Sequence, residues 1–434
     1  MRDYRSWGRY PRARPAAVVP VVWRSDVPAL DRVPGPVLAY AMGRSYGDSC
    51  LNDGGTLLDV RRMNRLIALD EANGLLRCEA GVTLAEILDI VVPRGWFLPV
   101  VPGTRWVSVG GAIANDIHGK NHHRAGTFGG HVTCLELARS NGERVVCSPN
   151  EPLFQATVGG LGLTGLILWA EIRLRRIPGP GISQERIRFA SLDGFFDLAA
   201  EDHAYEYTVA WVDCLARGPR LGRGIYIRGD HAPLEGTPDS PLDATRVRVP
   251  VDAPAGLINR LTMRMFNEAY YRRQLHRRQR AVVPYAPFFF PLDAVGDWTR
   301  LYGPSGFLQY QCVVPDDPGG GPIRAIFDRI SRSEEPACLG VLKRFGAAQS
   351  PGWLSFPREG ITLAVDFPYR GPPTLELLDD LDAVVRDAGG AVYPAKDARM
   401  SATSFAAFFP AAPRLEAQRD PKFSSSFWRR VYAA

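Results

Sequence analysis

Three glycine-rich segments carry the residue types that can grip an anion: Gly43-Arg-Ser-Tyr-Gly-Asp48, Pro102-Gly-Thr-Arg-Trp-Val-Ser-Val-Gly-Gly-Ala112 and Gly159-Gly-Leu-Gly-Leu-Thr-Gly165. Glycine admits close backbone approach and positive φ, so successive amides can converge on a diphosphate. Arg44, Ser45, Thr104 and Ser108, interleaved with the glycines, favour that reading over plain turns. Gly160, Gly162 and Gly165 match G-x-G-x-x-G, but a dinucleotide fingerprint needs a strand before it and a helix after it. Here a helix-like segment precedes and an alternating strand follows, so that reading fails on context.

Asp116-Ile-His-Gly-Lys-Asn-His-His123 holds three of the seven histidines. No cysteine joins them, the nearby carboxylate is Asp116, and adjacent His122 and His123 diverge, so no metal is expected. A His–Lys cluster after a glycine turn suits a site that stabilises negative charge. Lys396 follows the apolar run Gly390-Ala-Val-Tyr, and Gln309 and Gln311 share one face of a strand. Residue type alone favours reading Lys396 as a surface lysine in a turn, the glutamines as a solvated strand face and Lys343 as a charged strand end.

The elements that must position these residues read as short strands and a few helices. Glu71-Ala-Asn-Gly joins two strands as a hairpin, and Thr83-Leu-Ala-Glu86 is a capping box that starts a helix to Val92. Helices are also expected at 152–157, 323–333 and 374–388, and strands at 166–176, 207–212 and 306–314. Pro178-Gly-Pro-Gly marks a domain boundary. Strands followed by helices in the central part point to an antiparallel sheet covered on one side. The segment Arg260–Phe290, with five arginines from Arg272 to Arg280 and then Phe288-Phe-Phe, reads as a loop resting on anionic lipid. It is short and sits in no recognised module, so no nucleic-acid partner is expected.

The 434 residues are 46% hydrophobic and 23% charged with a net charge of +6, the composition of a soluble, loop-rich α+β or α/β enzyme with room for two domains. A modest positive excess suits a phosphorylated substrate or an anionic membrane. Seven scattered cysteines without C-x-x-C argue for reduced thiols. The start of the chain shows no signal-peptide pattern and no apolar run reaches the ~20 residues that span a bilayer. The expected location is cytoplasmic, or peripheral at the inner membrane on either face.

Several strings together resemble one family. Met42-Gly-Arg-Ser-Tyr-Gly-Asp, Val101-Pro-Gly-Thr-Arg, Val109-Gly-Gly-Ala-Ile-Ala, His118-Gly-Lys-Asn-His-His, Tyr302-Gly-Pro-Ser-Gly-Phe-Leu-Gln-Tyr-Gln and Ala395-Lys-Asp-Ala-Arg are similar to those of the decaprenylphosphoryl-β-D-ribose oxidase family, a branch of the vanillyl-alcohol-oxidase-like flavoproteins. The likeness runs from Trp7 to Pro421.

The resemblance implies an α+β, two-lobed fold: a PCMH-type FAD-binding domain from residues 1–179 and 391–434, and a substrate domain, 180–390, whose antiparallel sheet is covered by helices. It places Ala39, Gly43, Arg44, Ser45, Tyr46, Gly47, Asp48, Gly103, Thr104, Ser108, Val109, Gly110, Gly111, Asn115, Asp116, Ile117, His118, Ile167 and Tyr393 around FAD. Trp211, Gln309, Gln311, Lys343, Thr362, Ala364 and Lys396 would meet the substrate, with Lys396, Tyr46 and His118 in catalytic roles. The first glycine loop lacks the histidine through which many relatives tether the flavin, so FAD is expected to be non-covalent. Thr362 and Ala364 stand where asparagine and cysteine are usual, so capture by thiol-directed inhibitors should fail there.

The implied reaction oxidises the 2′-hydroxyl of a polyprenyl-phosphate ribofuranose to the 2′-keto sugar, the first half of an epimerisation to arabinose for cell-envelope glycans. Implied partners are the lipid-linked sugar phosphate, a quinone-type or other electron acceptor, a keto-sugar reductase and an anionic membrane surface. An alditol or aldonolactone oxidase on the same fold, and a non-catalytic flavin- or nucleic-acid-binding protein, are the alternatives.

Overall fold

Alternating polar and apolar residues between glycine turns build two sheets in the first lobe of this computed structural model, which describes residues 4–201, 204–233, 247–317 and 319–432. Ala17–Pro20, Thr56–Asp59 and Val37–Tyr40 form a parallel three-stranded sheet in that order. Leu66–Asp70, Leu75–Glu79, Leu166–Arg173, Val132–Ala138 and Arg144–Cys147 form an antiparallel five-stranded one. The hairpin at 71–74 and the helix Pro152–Thr157 lie where the sequence places them. Thr83 caps the helix Leu84–Val91: its hydroxyl accepts the Glu86 amide at 3.2 Å, and the Glu86 carboxylate accepts the Thr83 amide at 2.7 Å. That satisfies two otherwise orphaned donors and seats Leu84, Ile87, Leu88 and Val91 in the core.

The second lobe is one antiparallel sheet of eight strands, in the order Arg278–Pro284, Gly181–Phe189, Gly224–Ala232, Tyr207–Val212, Cys338–Phe345, Gly360–Pro368, Phe307–Val314 and Ala391–Val392. Helices Leu192–Glu201, Gly321–Arg332 and Pro372–Asp387 bury their apolar faces on one side of it, with Tyr310, Cys312, Leu342 and Leu363 from the strands in the shared core. Because Ala391–Val392 pairs with Phe307–Val314, the chain leaves this sheet only after Val392.

Residues 260–290 are not a loop. They form the helix Arg260–Arg272, the edge strand Arg278–Pro284 and the short helix Tyr285–Phe289. Phe288, Phe289 and Phe290 are buried beneath the first lobe with Phe97 and Tyr207. Three consecutive aromatics bury more area than any surface could leave exposed cheaply, and the interlobe seam is where they find it.

After the sheet, the chain returns beside the first glycine loop. The Tyr46 amide donates to the Ala395 carbonyl at 2.8 Å. Arg430, on the helix Ser426–Val431, bonds Asp48 at 2.7 and 3.0 Å and Asp397 at 2.9 Å. A Cβ on Gly47 would lie 1.6 Å from the Asp397 carbonyl oxygen. Only glycine permits this approach.

Gly47→Ala is therefore expected to cost roughly 1–3 kcal/mol of unfolding free energy as an overpacked contact. Gly130→Ala, whose Cβ would meet nothing within 4 Å, should change it by less than about 0.5 kcal/mol. Denaturant unfolding of both variants checks the contrast.

Candidate active site

The face of the eight-stranded sheet away from its helices carries side chains two residues apart, as strand pleating requires. Trp211, Gln309, Gln311, Val341, Lys343, Thr362, Ala364 and Asp366 all point to one cavity of about 1020 Å³. Cross-strand register aligns them: Gln309 with Asp366, Gln311 and Val341 with Ala364, and Lys343 with Thr362. The first lobe supplies the opposite wall through Ala39, Gly43 to Tyr46, Gly103, Thr104, Ser108, Gly110, Gly111, Asn115, Ile117, His118 and Ile167. Tyr393 and Lys396 enter from the C-terminal segment. The volume is at the upper end of small-molecule sites and fits a large dinucleotide with room beside it.

The walls fit FAD in their donor chemistry as well. The amides of Gly43, Arg44 and Ser45 carry no hydrogen bond to protein among the described residues. Arg44 Nε and Ser49 Oγ, both on the cavity wall, are buried without a partner. A Cβ at Gly103 would meet no protein atom within 4 Å, so its backbone is bare toward the cavity. Buried orphan donors are rare, and a diphosphate would satisfy these.

The other two loops serve differently from the convergent grip expected of them. At the helix Val109–Ala114, the amides of Val109 and Gly110 already bond Val82 and Ala80 carbonyls at 2.8 Å each, and Gly111 bonds the capping Ser108 hydroxyl. In the third loop, Gly159, Gly160 and Leu161 donate to Ile113, Thr157 and Ala114 carbonyls. That loop braces the helix end and lends Gly162 and Gly165 to the wall.

Four expected cofactor residues lie behind the wall. Gly47 is the close-approach point and Asp48 is paired with Arg430. Val109 is held to Val82. Asp116, fully buried at φ 39°, accepts the Gly129 amide at 2.8 Å and the Ser350 and Ser355 hydroxyls at 2.5 Å each. A carboxylate with three such donors is an internal tie between lobes. The histidine cluster also divides. His118 faces the cavity, His122 packs on Phe345 with its pKa pushed down by burial to about 3, and His123 bonds the Tyr205 carbonyl.

Charge in the cavity is dominated by three half-buried lysines that line it. Burial lowers Lys396 and Lys343 to about 7 and Lys120 to about 8. Lys396 Nζ lies 3.7 Å from the centre of the Tyr46 ring. Gln311 donates to His118 Nε2 at 2.9 Å, and Lys343 Nζ is 3.2 Å from His118 Nδ1. Burial and the Lys343 charge hold His118 well below its ordinary pKa, so it is neutral. The neutral ring lies between the Gln311 amide and the Lys343 amine, and its tautomer decides which of its two nitrogens donates. Lys396 differs because a carboxylate acts on it. Asp366, raised by burial to about 7, stabilises the Lys396 ammonium across the cavity. Asp366 itself is held by Gln309 at 2.6 Å and the Tyr302 hydroxyl at 3.0 Å.

Asp366 and Tyr302 are cavity-side groups to which the sequence assigned no role. The two-residue period through Thr362 and Ala364 places Asp366 on the same face, so that signal was present. Lys120, whose Nζ donates to the Phe289 carbonyl at 3.1 Å, sits inside the noted histidine cluster. Asp293, which accepts the Arg105 amide at 2.9 Å, has no local signature because its partner is 188 residues away.

Residues 29–148 match the family model described as an FAD binding domain. A Mycolicibacterium smegmatis protein named decaprenylphosphoryl-β-D-ribose oxidase is 39% identical over 417 residues, covering 91% of this chain and 89% of that one. An uncharacterised Streptomyces coelicolor protein encoded in the mprA 5′ region is 36% identical over 373 residues, 81% of this chain and 100% of its own. A putative D-arabinono-1,4-lactone oxidase of Neurospora crassa is 32% identical over 124 residues, 28% of this chain and 22% of its own.

Asp366→Asn removes the negative charge that raises Lys396, so the Lys396 pKa should fall below 7. Whether turnover needs the amine or the ammonium, the limb of the pH profile set by Lys396 then moves to lower pH. A limb that stays in place, or moves up, contradicts this coupling.

Proposed function

Because the chain belongs to the decaprenylphosphoryl-β-D-ribose oxidase family and is an FAD-dependent oxidoreductase, we propose that it oxidises the 2′-hydroxyl of a polyprenyl-phosphate ribofuranose to the 2′-keto sugar. The observation that carries this reading is the set of three amines, Lys396, Lys343 and Lys120, that converge from different segments on the cavity into which the flavin-type glycine loop also opens. An alcohol loses a proton from oxygen and a hydride from carbon, and a cationic, water-poor pocket favours the first loss while accommodating a substrate phosphate.

Arg44, Ser45, Gly103 and Ser49 hold the cofactor in this reading, with Tyr393, Asn115 and Ile117 along it. The bound flavin supplies the hydride acceptor. Lys396, Tyr46 and His118 surround the substrate hydroxyl; Lys396, poised near neutrality, holds or takes its proton. Gln309 and Gln311 orient the sugar hydroxyls from their shared strand face, beside Trp211, Thr362 and Ala364. Ala364 offers no thiol to covalent inhibitors. FAD is non-covalent here, since the loop Gly43–Asp48 has no histidine. The keto sugar passes to a reductase that completes an epimerisation, and a quinone-type acceptor reoxidises the flavin.

Anaerobic bleaching of the visible flavin band tests the substrate. A prenyl-phospho-ribose should bleach it, while alditols and arabinonolactone should not; the reverse pattern overturns the assignment. Lys396→Met should slow bleaching by roughly 10²–10⁴-fold with flavin content unchanged. Acid precipitation should leave all the flavin in the supernatant.

A further inference from the structure

The helix Arg260–Arg272 is inverted relative to an ordinary surface helix. Its inner face is held by polar anchors: Asn267 donates to Asp213 at 2.8 Å, and just beyond it Gln274 donates to the Arg186 and Arg277 carbonyls at 3.1 and 3.2 Å. Of its apolar side chains only Met263 is fully buried. The large ones face outward in an i, i+4 row that starts in the preceding turn: Leu257, Leu261 and Met265 are 51%, 68% and 65% exposed, with Phe266 at 47% beside them and Leu275 at 79% beyond the helix. An amphipathic helix on a globular surface shows the opposite pattern. A contiguous exposed apolar row of this kind marks an interaction surface.

Charge identifies the partner. Residues 257–282 hold seven arginines and one carboxylate, Glu268. Arg278 and Arg280 are paired with Glu185, Arg272 with Glu268, and Arg260 bonds the Ser331 and Ser333 carbonyls. Arg264, Arg273 and Arg277 have no carboxylate partner among the described residues. Apolar side chains flanked by unpaired guanidinium groups complement an anionic lipid surface, into whose headgroup boundary the former insert while the latter stay among the phosphates. The same helix borders the cavity: Phe266, Tyr270 and Arg273 line it. No helix among the described residues is long and apolar enough to cross a membrane, so any attachment through this element is interfacial.

We propose that the outward face of Arg260–Arg272 docks on an anionic bilayer and sets the cavity mouth at the membrane surface. The proposal takes its purpose from the lipid-linked substrate reading, but its test needs no sugar. The full chain is sedimented at low salt with vesicles of phosphatidylcholine alone, or of phosphatidylcholine with phosphatidylglycerol. The protein should pellet with the anionic vesicles at least tenfold more strongly, and salt should weaken this. Leu261→Glu with Met265→Glu, and separately Arg264→Gln with Arg277→Gln, should each lower anionic binding at least tenfold at unchanged melting temperature and flavin content. Leu261→Ser should give an intermediate loss, which keeps the result readable where the double glutamate variant does not fold.

A chain that stays in the supernatant with anionic vesicles, or variants that pellet like the wild type, would overturn the proposal. So would a wild-type dimer that the Leu261/Met265 variant abolishes without any vesicle binding, since that assigns the face to a second copy. Vesicle binding with failed bleaching by prenyl-phospho-ribose would sink the substrate reading and leave the docking face standing.

Discussion

The backbone of the first glycine loop touches the backbone of the Lys396 turn, some 350 residues later, and the rest of the site depends on that contact. The Tyr46 amide and the Ala395 carbonyl are joined directly, and Gly47 leaves no space between its own chain and the Asp397 carbonyl. Arg430 then pairs with a carboxylate on each side, Asp48 and Asp397. Without the half-buried Arg430 guanidinium both buried carboxylates would be left uncompensated, so the bridge commits both segments to one geometry. The N-terminal segment adds a third piece of chain to the junction: Gly8 donates to the Tyr46 carbonyl, and its own carbonyl accepts the Phe307 amide. Loop, substrate strand and C-terminal turn are thus tied at one point, and Tyr46 and Lys396 meet there.

The second consequence is electrostatic. Lysines inside this cavity lose water without gaining an ion pair at contact distance, and their pKa values fall toward neutrality in a way a surface lysine's would not. What separates them is their company. Lys343 has Lys120 and Lys396 as charged neighbours and a neutral histidine at its amine, which favours the uncharged form. Lys396 has Asp366. Two chemically identical side chains in one pocket thus answer to different neighbours, and only Lys396 feels the Asp366 carboxylate.

The sequence was informative where local rules decide the outcome. The capping box at Thr83, the turn at 71–74 and the helix at 152–157 follow from residues adjacent in the chain, and the failure of the Gly160–Gly165 fingerprint follows from what flanks it. Side chains of the cavity ceiling were legible as far as strand alternation was applied: it joined Gln309 to Gln311 and would have added Asp366. The roles of Gly47, Asp48 and Asp116 were out of reach, because each is decided by a partner on the other side of the fold. The same holds for Phe288 to Phe290: an aromatic run beside arginines reads as a membrane segment until the interlobe seam that buries it is seen. The arginine-rich stretch did hold an apolar surface, but on the helical face of Leu261 and Met265.

The chemistry of this site requires flavin to lie between the Gly43–Ser45 amides and the Lys396 turn. A crystal structure of the natively purified, flavin-loaded protein tests this most directly. The diphosphate should accept hydrogen bonds from the free amides of Gly43 to Ser45, and the reactive ring should lie against Tyr46 and Lys396. A flavin anchored instead on the Gly159–Gly165 loop, or with its ring turned away from Lys396, would contradict the account.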